Sequence, residues 1–484
     1  MTLLAAALRI FRLGHKSLWY DEALYYHIAQ GPWSDVIKSN ASSGSAPPLF
    51  PLLLALISGP DASEAWLRAP SMIAGVMSVP LIWLLAREFT DKRYAILSAL
   101  LVAVAPTLIE YSQELREYSI TFCLTVVILF VYLRFLKHPT TGTMVAMAFA
   151  VAASIFLQYG FVLLVAALNV LVLMHFVRSR PYPRRAMAGW AIAQLPGMLT
   201  MILVYFIALK DQLALAKMVK LGYLADGYWD GSATGFFALF VGGPISLIDF
   251  SFPRPLLLFL VIAGLASMFM REAPKWLMPF LAAPLAITFV GALAGIYPFG
   301  GLRQDIFLLP MIYVLAAAGF AILCGLSGKR FGRHASNALY FGLLALVTVH
   351  GLATSLPRLS DPGNEPIKLV LPALKSGYRP NDRIYVHFGA QQAFGYYWRK
   401  RSEPWIAGSV HAPGWGGPEL ARSQIPAIQT ELRASVPESG YLWVVFSHIP
   451  PADIDALAAP LRNDHQVEVV SESKWVRLYR VKRE

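Results

Sequence analysis

Asp21 and Glu22 follow Ser17, Leu18, Trp19 and Tyr20 directly after a short apolar start, so two adjacent carboxylates beside two aromatic rings stand in the first loop of a chain that otherwise reads as membrane helices. Acidic side chains are costly near lipid, and a pair of them at a membrane surface is a functional site by default. The same region carries Arg9, Arg12, His15 and Lys16 before the acids and Arg68 after them, cations able to hold a phosphate at that surface. Two more polar clusters fall on the same face: Tyr111-Ser112-Gln113-Glu114-Leu115-Arg116-Glu117-Tyr118, and Gly300-Gly301-Leu302-Arg303-Gln304-Asp305. These parts suit displacement at a sugar anomeric carbon with a lipid phosphate as leaving group. Phosphate departs as a stable anion that needs electrostatic holding more than a general acid, whereas the acceptor hydroxyl needs one carboxylate to take its proton. Each piece has a plainer reading as well. Asp21 and Glu22 are favourable first-turn acids for a surface helix over residues 21–30. Residues 111–118 fit a solvated loop with local ion pairs, and Arg303 fits a snorkelling anchor. Arg68 fits a helix-end anchor, and Arg9 and Arg12 fit that role or inside-facing charges better than a phosphate site. The convergence of three elements on one face, more than any single motif, argues for a site outside the cytoplasm.

The 484 residues are 56% hydrophobic and 14% charged with mean hydropathy +0.53, too apolar for a soluble globular chain. The fold class is therefore a polytopic α-helical membrane protein. The net charge of +12 does not point to nucleic acid, because the basic residues sit in short clusters between apolar runs, where they act as topology signals. The clusters are Arg87/Lys92/Arg93, Arg134/Lys137/His138, Arg178/Arg180/Arg184/Arg185, Arg271/Lys275 and Lys329/Arg330/Arg333/His334. With all five in the cytoplasm, spans are expected near residues 1–13, 70–86, 94–109, 119–136, 143–158, 160–177, 187–207, 255–270, 276–296, 306–326 and 338–355. That makes about 11 crossings, beginning inside and ending outside. Two apolar stretches, residues 49–58 and 236–248, the second interrupted by Gly242-Gly243-Pro244, are too short to cross and break the alternation if either crosses alone, so both are expected as juxtamembrane helices of external loops. The first external loop then covers residues 14–69. Residues 210–234, with Tyr223, Asp226, Tyr228, Trp229 and Asp230, fit either a mobile flap over the site or a passive connector. Cys123 and Cys324 lie in apolar segments and fit inert thiols, and their number excludes a disulfide framework. No cleavable signal peptide is evident, and the first span, about 13 residues where roughly 20 are needed, points to a start upstream of Met1.

After Leu356 the composition turns to that of ordinary soluble protein, which divides the chain into a membrane domain, residues 1–356, and an external domain, residues 357–484. Strands are expected at residues 382–388, 441–448, 466–470 and 475–481, with helices at 418–436 and 452–462, a small α/β pattern. It carries no recognisable catalytic motif, so acceptor binding or capping of the membrane site is its expected role. No internal repeat stands out, which removes one pointer to a transporter.

The motifs Arg12…Ser17-Leu18-Trp19-Tyr20-Asp21-Glu22-Ala23, Pro47-Pro48-Leu49-Phe50, Leu67-Arg68-Ala69-Pro70-Ser71, residues 111–118 and Leu302-Arg303…Pro310 come in an order that resembles the GT-C membrane glycosyltransferases. The likeness covers about residues 1–330 and is greatest to the branch grouping protein O-mannosyltransferases, the lipid A aminoarabinose transferase and the rhizobial galacturonosyltransferases. It implies an enzyme of the bacterial inner membrane that moves a monosaccharide, hexose or pentose, from a polyprenyl-phosphate carrier to a lipid, glycan or protein acceptor of the envelope, with inversion. Active site and C-terminal domain would both be periplasmic. Under that likeness Asp21 is the candidate base, Glu22 orients it or the acceptor, and Arg303 is a lipid-phosphate ligand. Glu114 and Arg116 become cleft residues, with Arg68, Tyr111 and Tyr118 completing the substrate site. Three features depart from the pattern: Ala46 replaces the usual His before Pro47-Pro48, Gln304 replaces the usual Tyr after Arg303, and the first helix is short. Some relatives bind a divalent metal and others do not, so the likeness leaves a metal open. The alternative from another class is a lipid-linked oligosaccharide flippase, which should carry its charges within spans near the midplane.

Overall fold

The computed structural model describes residues 1–179, 183–253, 255–267, 277–409 and 418–484. Arg180, Arg271 and Lys275, and with them the ends of two expected spans, lie outside the described residues. The chain begins with α1 (Thr2–Ile10), after which the first loop holds three short helices, α2 (Tyr20–Ile28), α3 (Trp33–Ser43) and α4 (Leu49–Ala55). Helices α5 (Glu64–Ala86), α6 (Lys92–Val104), α7 (Pro106–Ser112), α8 (Tyr118–Lys137), α9 (Thr141–Leu157), α10 (Phe161–Arg178) and α11 (Arg184–Val204) follow. Next come α12 (Lys210–Leu221), α13 (Ala233–Phe237), α14 (Gly243–Ser251), α15 (Leu256–Ser267), α16 (Leu277–Leu293) and the long α17 (Leu309–Ser360).

Helices therefore occupy each expected span. Six helical segments among the described residues are long and apolar enough to cross a membrane, or seven if the bent pair α6–α7 is one span, while α9, α15 and α16 are shorter apolar helices. Helix α17 holds two of the expected spans: Gly332 breaks it at φ +85°, and Ser336 Oγ returns to donate to Cys324 O at 2.8 Å, so it is a hairpin with the Lys329–His334 cluster at its bend. Only glycine takes that backbone without strain.

The α6–α7 bend, 54°, follows from Pro106, which has no N–H to give to Val102 O. Arg9 fills the gap. Its guanidinium is fully buried and donates to Val102 O at 2.8 Å, Ala103 O at 3.1 Å and Ser112 Oγ at 3.1 Å. It is thus neither an inside-facing charge nor a helix-end anchor, because the carbonyls freed by the proline draw it into the bundle.

Residues 236–248 are not interrupted at Gly242-Gly243-Pro244. A π-turn over Ala238–Gly242 joins α13 to α14, giving a continuous 19-residue segment from Ala233 to Ser251 that is long enough to cross. It packs on its neighbours through Gly243, which lies against Phe299, and through Phe250 O, which accepts from Thr107 Oγ1 at 2.5 Å. Residues 210–221 are helical as well, continuing α11 through a second π-turn, Tyr205–Leu209. Gln212 ties α12 to the first loop by donating to Asn40 O at 2.8 Å. The expected flap is in consequence a docked helix followed by a turn.

After Ser360 come α18 (Ile367–Gly377), β1 (Arg383–Val386), α19 (Phe388–Trp398), β2 (Ile406–Ala407), α20 (Pro418–Ser435), β3 (Leu442–Phe446), α21 (Pro451–Ala458), β4 (His465–Ser473) and β5 (Val476–Arg483). The sheet order is β2-β1-β3-β5-β4, parallel across β2, β1 and β3 and antiparallel beyond. Side-chain alternation splits β3 between two cores. Leu442, Val444 and Phe446 pack with Ile428, Leu432 and Ile454, whereas Trp443 and Val445 join the core that runs into the membrane bundle. Helix α19 makes that junction: Tyr396 meets Tyr26 edge-on at 4.8 Å and donates to Ala62 O at 2.8 Å. The α/β unit is thus packed directly on the first loop.

Candidate active site

Asp21 is the second residue of α2, and both other polar clusters reach it. Its Oδ2 accepts from Arg116 Nη1 at 2.7 Å and from Arg303 Nη1 at 2.9 Å, while no donor among the described residues reaches Oδ1. Burial by itself would raise the Asp21 carboxyl, but the charges of Arg303 and Arg116 outweigh it and hold the group below the usual carboxylate range.

The two arginines are held differently. Arg116, in the turn between α7 and α8, is buried with its guanidinium over the rings of Tyr25 and Tyr118 at 4.7 and 5.1 Å. It also donates to Glu117 Oε2 at 3.3 Å and Tyr118 Oη at 3.1 Å. Tyr111 packs edge-on against Tyr118 at 4.9 Å. Arg303 is 25% exposed and bridges from Asp21 to Tyr223 Oη, 3.2 Å from Nη2. Gln304 Nε2 also donates to Tyr223 Oη, at 3.1 Å, so the turn after α12 covers the arginine. Gly300 and Gly301 take positive φ, and Asp305 Oδ2 accepts from their N–H groups and that of Leu302 at 2.9, 3.1 and 3.2 Å. This carboxylate cradle sets the direction in which Arg303 leaves the backbone.

Glu22 and Arg68 border the same cavity as Glu114, but their polar atoms are spent on each other and on neighbouring backbone. Glu22 is sealed, its two oxygens accepting from Arg68 Nε at 2.8 Å and Nη2 at 2.7 Å, with Leu115 N adding 2.6 Å to Oε1. Arg68 spends its remaining N–H groups on Leu13 O, Lys16 O and Ser17 O at 3.0, 3.0 and 3.1 Å. With five N–H groups and five acceptors, it has none to offer a phosphate. The pair ties the start of the first loop to α5 and to the α7–α8 turn. Removing one member of such a buried pair costs about 3–5 kcal/mol.

Glu114 lines a cavity of about 240 Å³ together with Lys16, Trp19, Glu110, Glu365, His448 and Trp475. Burial, then the nearby charges of Glu22 and Glu110, push its carboxyl up to about 8, so it carries a proton at neutral pH. Glu365 and His448 come from the C-terminal unit, which the sequence showed without a catalytic motif. They stand 83 positions apart, and only the fold brings them together. Ala46, before Pro47-Pro48, offers a carbonyl that accepts from Asn40 Nδ2 at 3.0 Å. Among the described residues no group of three or more His, Cys, Asp or Glu is placed to hold a metal ion.

A family model described as dolichyl-phosphate-mannose-protein mannosyltransferase matches residues 45–196. No curated protein matches the chain. Among solved structures, ArnT from Cupriavidus metallidurans bound to undecaprenyl phosphate superposes with TM-score 0.59 at 15% identity, over 99% of this chain and 97% of that one. The oligosaccharyltransferase AglB from Archaeoglobus fulgidus, in complex with an inhibitory peptide and a dolichol-phosphate, gives TM-score 0.52 at 11% identity, over 99% of this chain and 73% of that one.

Proposed function

We propose that this chain, which has the GT-C membrane glycosyltransferase fold and is similar to the protein O-mannosyltransferases and the lipid A aminoarabinose transferase, moves a monosaccharide from a polyprenyl-phosphate carrier to an acceptor of the bacterial envelope, on the periplasmic face of the inner membrane. The observation that carries the reading is the meeting of three separate loops at Asp21, with two arginines on one of its oxygens. Two solved structures similar to this one are bound to a polyprenyl phosphate, undecaprenyl phosphate in ArnT and a dolichol-phosphate in AglB, which supports a lipid-linked donor here.

In this reading Arg303 leaves Asp21 and Tyr223 for the donor phosphate, since it is the more exposed of the two arginines and is held by single hydrogen bonds. The phosphate then departs as an anion against a fixed cation. Losing one cation raises the basicity of Asp21, whose Oδ1 takes the acceptor proton as the hydroxyl attacks the anomeric carbon from the side opposite the phosphate, so the configuration inverts. Arg116 stays on Oδ2 and keeps the carboxylate aimed. Glu114, protonated at neutral pH, is suited to give a hydrogen bond to a sugar or acceptor oxygen in the cavity that it lines.

The test is transfer of labelled sugar from crude polyprenyl-linked donors to envelope fractions. Wild type should transfer and Asp21→Asn should lose on the order of 100-fold or more. Equal transfer by both would remove Asp21 as base, and no transfer by either would favour the flippase. That alternative loses ground from the site itself, where the charges gather at one mouth of the bundle rather than at mid-span.

A further inference from the structure

The backbone that carries Asp21 is held by the C-terminal unit. The first N–H groups of a helix have no partner within it, and an anion placed there is favourable. For α2 the anion comes from far along the chain: Glu365 Oε2 accepts from Tyr20 N at 2.9 Å. Two residues earlier, Leu18 N donates to Tyr397 Oη at 2.8 Å. Lys368 adds two bonds to the same stretch, from N to Ser17 Oγ at 3.1 Å and from Nζ to Gly14 O at 2.9 Å. The second oxygen of Glu365 is 2.6 Å from His448 Nδ1. His448 follows the end of β3 with φ +63°, a backbone that non-glycine residues adopt only under constraint. Its ring lies flat on that of Tyr20, centroids 4.6 Å apart and planes 18° apart.

We propose that Glu365 and His448 form a positioning pair that fixes the N-terminus of the Asp21 helix, so that the C-terminal α/β unit completes the active site. The inference rests on the reading of Asp21 as base. Glu365 caps the helix and thereby sets where the side chain of its second residue points, and His448 clamps Tyr20 from the other side while holding the carboxylate of Glu365. Asp21, Arg303 and His387 also interact electrostatically with His448, and Lys16, Glu110 and Glu114 line the same cavity. Burial would lower the imidazole, but Glu365 and Asp21 outweigh it and keep the ring above its usual value, which favours the cationic partner that Glu365 needs.

The experiment uses the full chain in native membranes and the same transfer assay, following maximal rate and half-saturating donor concentration. Glu365→Ala should lower the maximal rate roughly 10- to 100-fold with the half-saturating donor concentration within about twofold, because a misaimed base slows chemistry rather than donor binding. Glu365→Gln keeps an oxygen for Tyr20 N and should retain most of the rate, and His448→Ala should lose about tenfold. Purified variants are also melted in detergent. Rates for Glu365→Ala and His448→Ala equal to wild type, with Asp21→Asn inactive, would overturn the inference alone. Rate losses that follow the loss of melting temperature, without rescue by Gln, would reduce the pair to scaffold and overturn it too. An active Asp21→Asn would overturn the reading beneath it and the inference with it. If Glu365→Ala does not accumulate, His448→Ala decides.

Discussion

Asp21 and Glu22 are neighbours in sequence and both are paired with arginine, yet the two pairs differ in every respect that matters for chemistry. Glu22 and Arg68 are each 1% exposed, bonded through both carboxylate oxygens, with every arginine N–H engaged. Asp21 is 14% exposed, uses one oxygen for two arginines, and has a second oxygen that no described donor reaches. A saturated pair can only hold the chain in place. An unsaturated one can exchange partners when a phosphate arrives. Successive residues in the first turn of a helix point about 100° apart, so with α2 held in this direction one carboxylate meets Arg68 and the other meets Arg116 and Arg303.

The sharpest way to break the comparison is to remove one charge from each pair. Asp21→Asn should lose on the order of 100-fold or more in transfer while melting in detergent near the wild-type temperature, since the amide keeps shape and Arg116 keeps its other partners. Glu22→Ala should do the reverse in kind: it strands Arg68 in the interior at a cost of about 3–5 kcal/mol, so the protein should accumulate poorly in the membrane. A stable, well-expressed Glu22→Ala would show that the sealed pair is dispensable to the fold.

Arg303→Lys comes next in size. Lysine keeps the charge but offers a single ammonium in place of the planar guanidinium fork that can hold two phosphate oxygens at once. The expected outcome is a loss of roughly 10- to 100-fold in transfer, concentrated in the rate at saturating donor if Arg303 holds the departing phosphate. An effect confined to the half-saturating donor concentration would instead make it a ground-state binding residue.

Two carboxylates at the mouth respond to pH in opposite senses. The Asp21 pKa is lowered in the folded protein, so its contribution to stability is full above the unfolded value and is lost as pH falls through the folded one. Glu114 is raised to about 8, so the folded state binds the proton more tightly and stability declines as pH rises from about 4.5, levelling off above about 8. Glu114→Gln should therefore flatten the fall in melting temperature between those limits and raise stability at the alkaline end. Melting wild type and variant at pH 5 and pH 9 checks the sign, and a parallel pair of curves would mean that Glu114 is ionised in the folded state.

Much of this was legible in the sequence. The membrane helices follow from apolar length, the strands from β-branched runs, and the three polar clusters from the scarcity of charge elsewhere. What could not be read was partnership. Nothing in the spacing says that Glu22 turns inward to Arg68 while Asp21 turns to Arg116, because that depends on the direction of α2, which is set by Glu365 and Tyr397 hundreds of residues later. Arg9 was misjudged for a related reason: a positive charge near a short apolar start signals topology by default, and only the missing N–H of Pro106 makes a buried guanidinium the better answer. Residues 236–248 looked broken at Gly-Gly-Pro, but a π-turn takes up the proline without ending the helix.

The smallest expected effect sharpens the comparison most finely, because it touches only the exchangeable side of the Asp21 pair. Tyr223 Oη accepts from Arg303 Nη2 and Gln304 Nε2, yet the ring is 46% exposed. In Tyr223→Phe water can replace the lost hydroxyl, so stability should hardly change. Arg303 would then be held by Asp21 and by the Trp19 ring, 5.7 Å from its guanidinium carbon. If the arginine must let go of its resting partners to reach a donor phosphate, loosening one of them should leave transfer within about threefold of wild type, or slightly faster at low donor concentration. If Tyr223 instead aims Arg303 at the phosphate, the variant should lose tenfold or more, and the turn after α12 would then have to be counted among the parts that build the site.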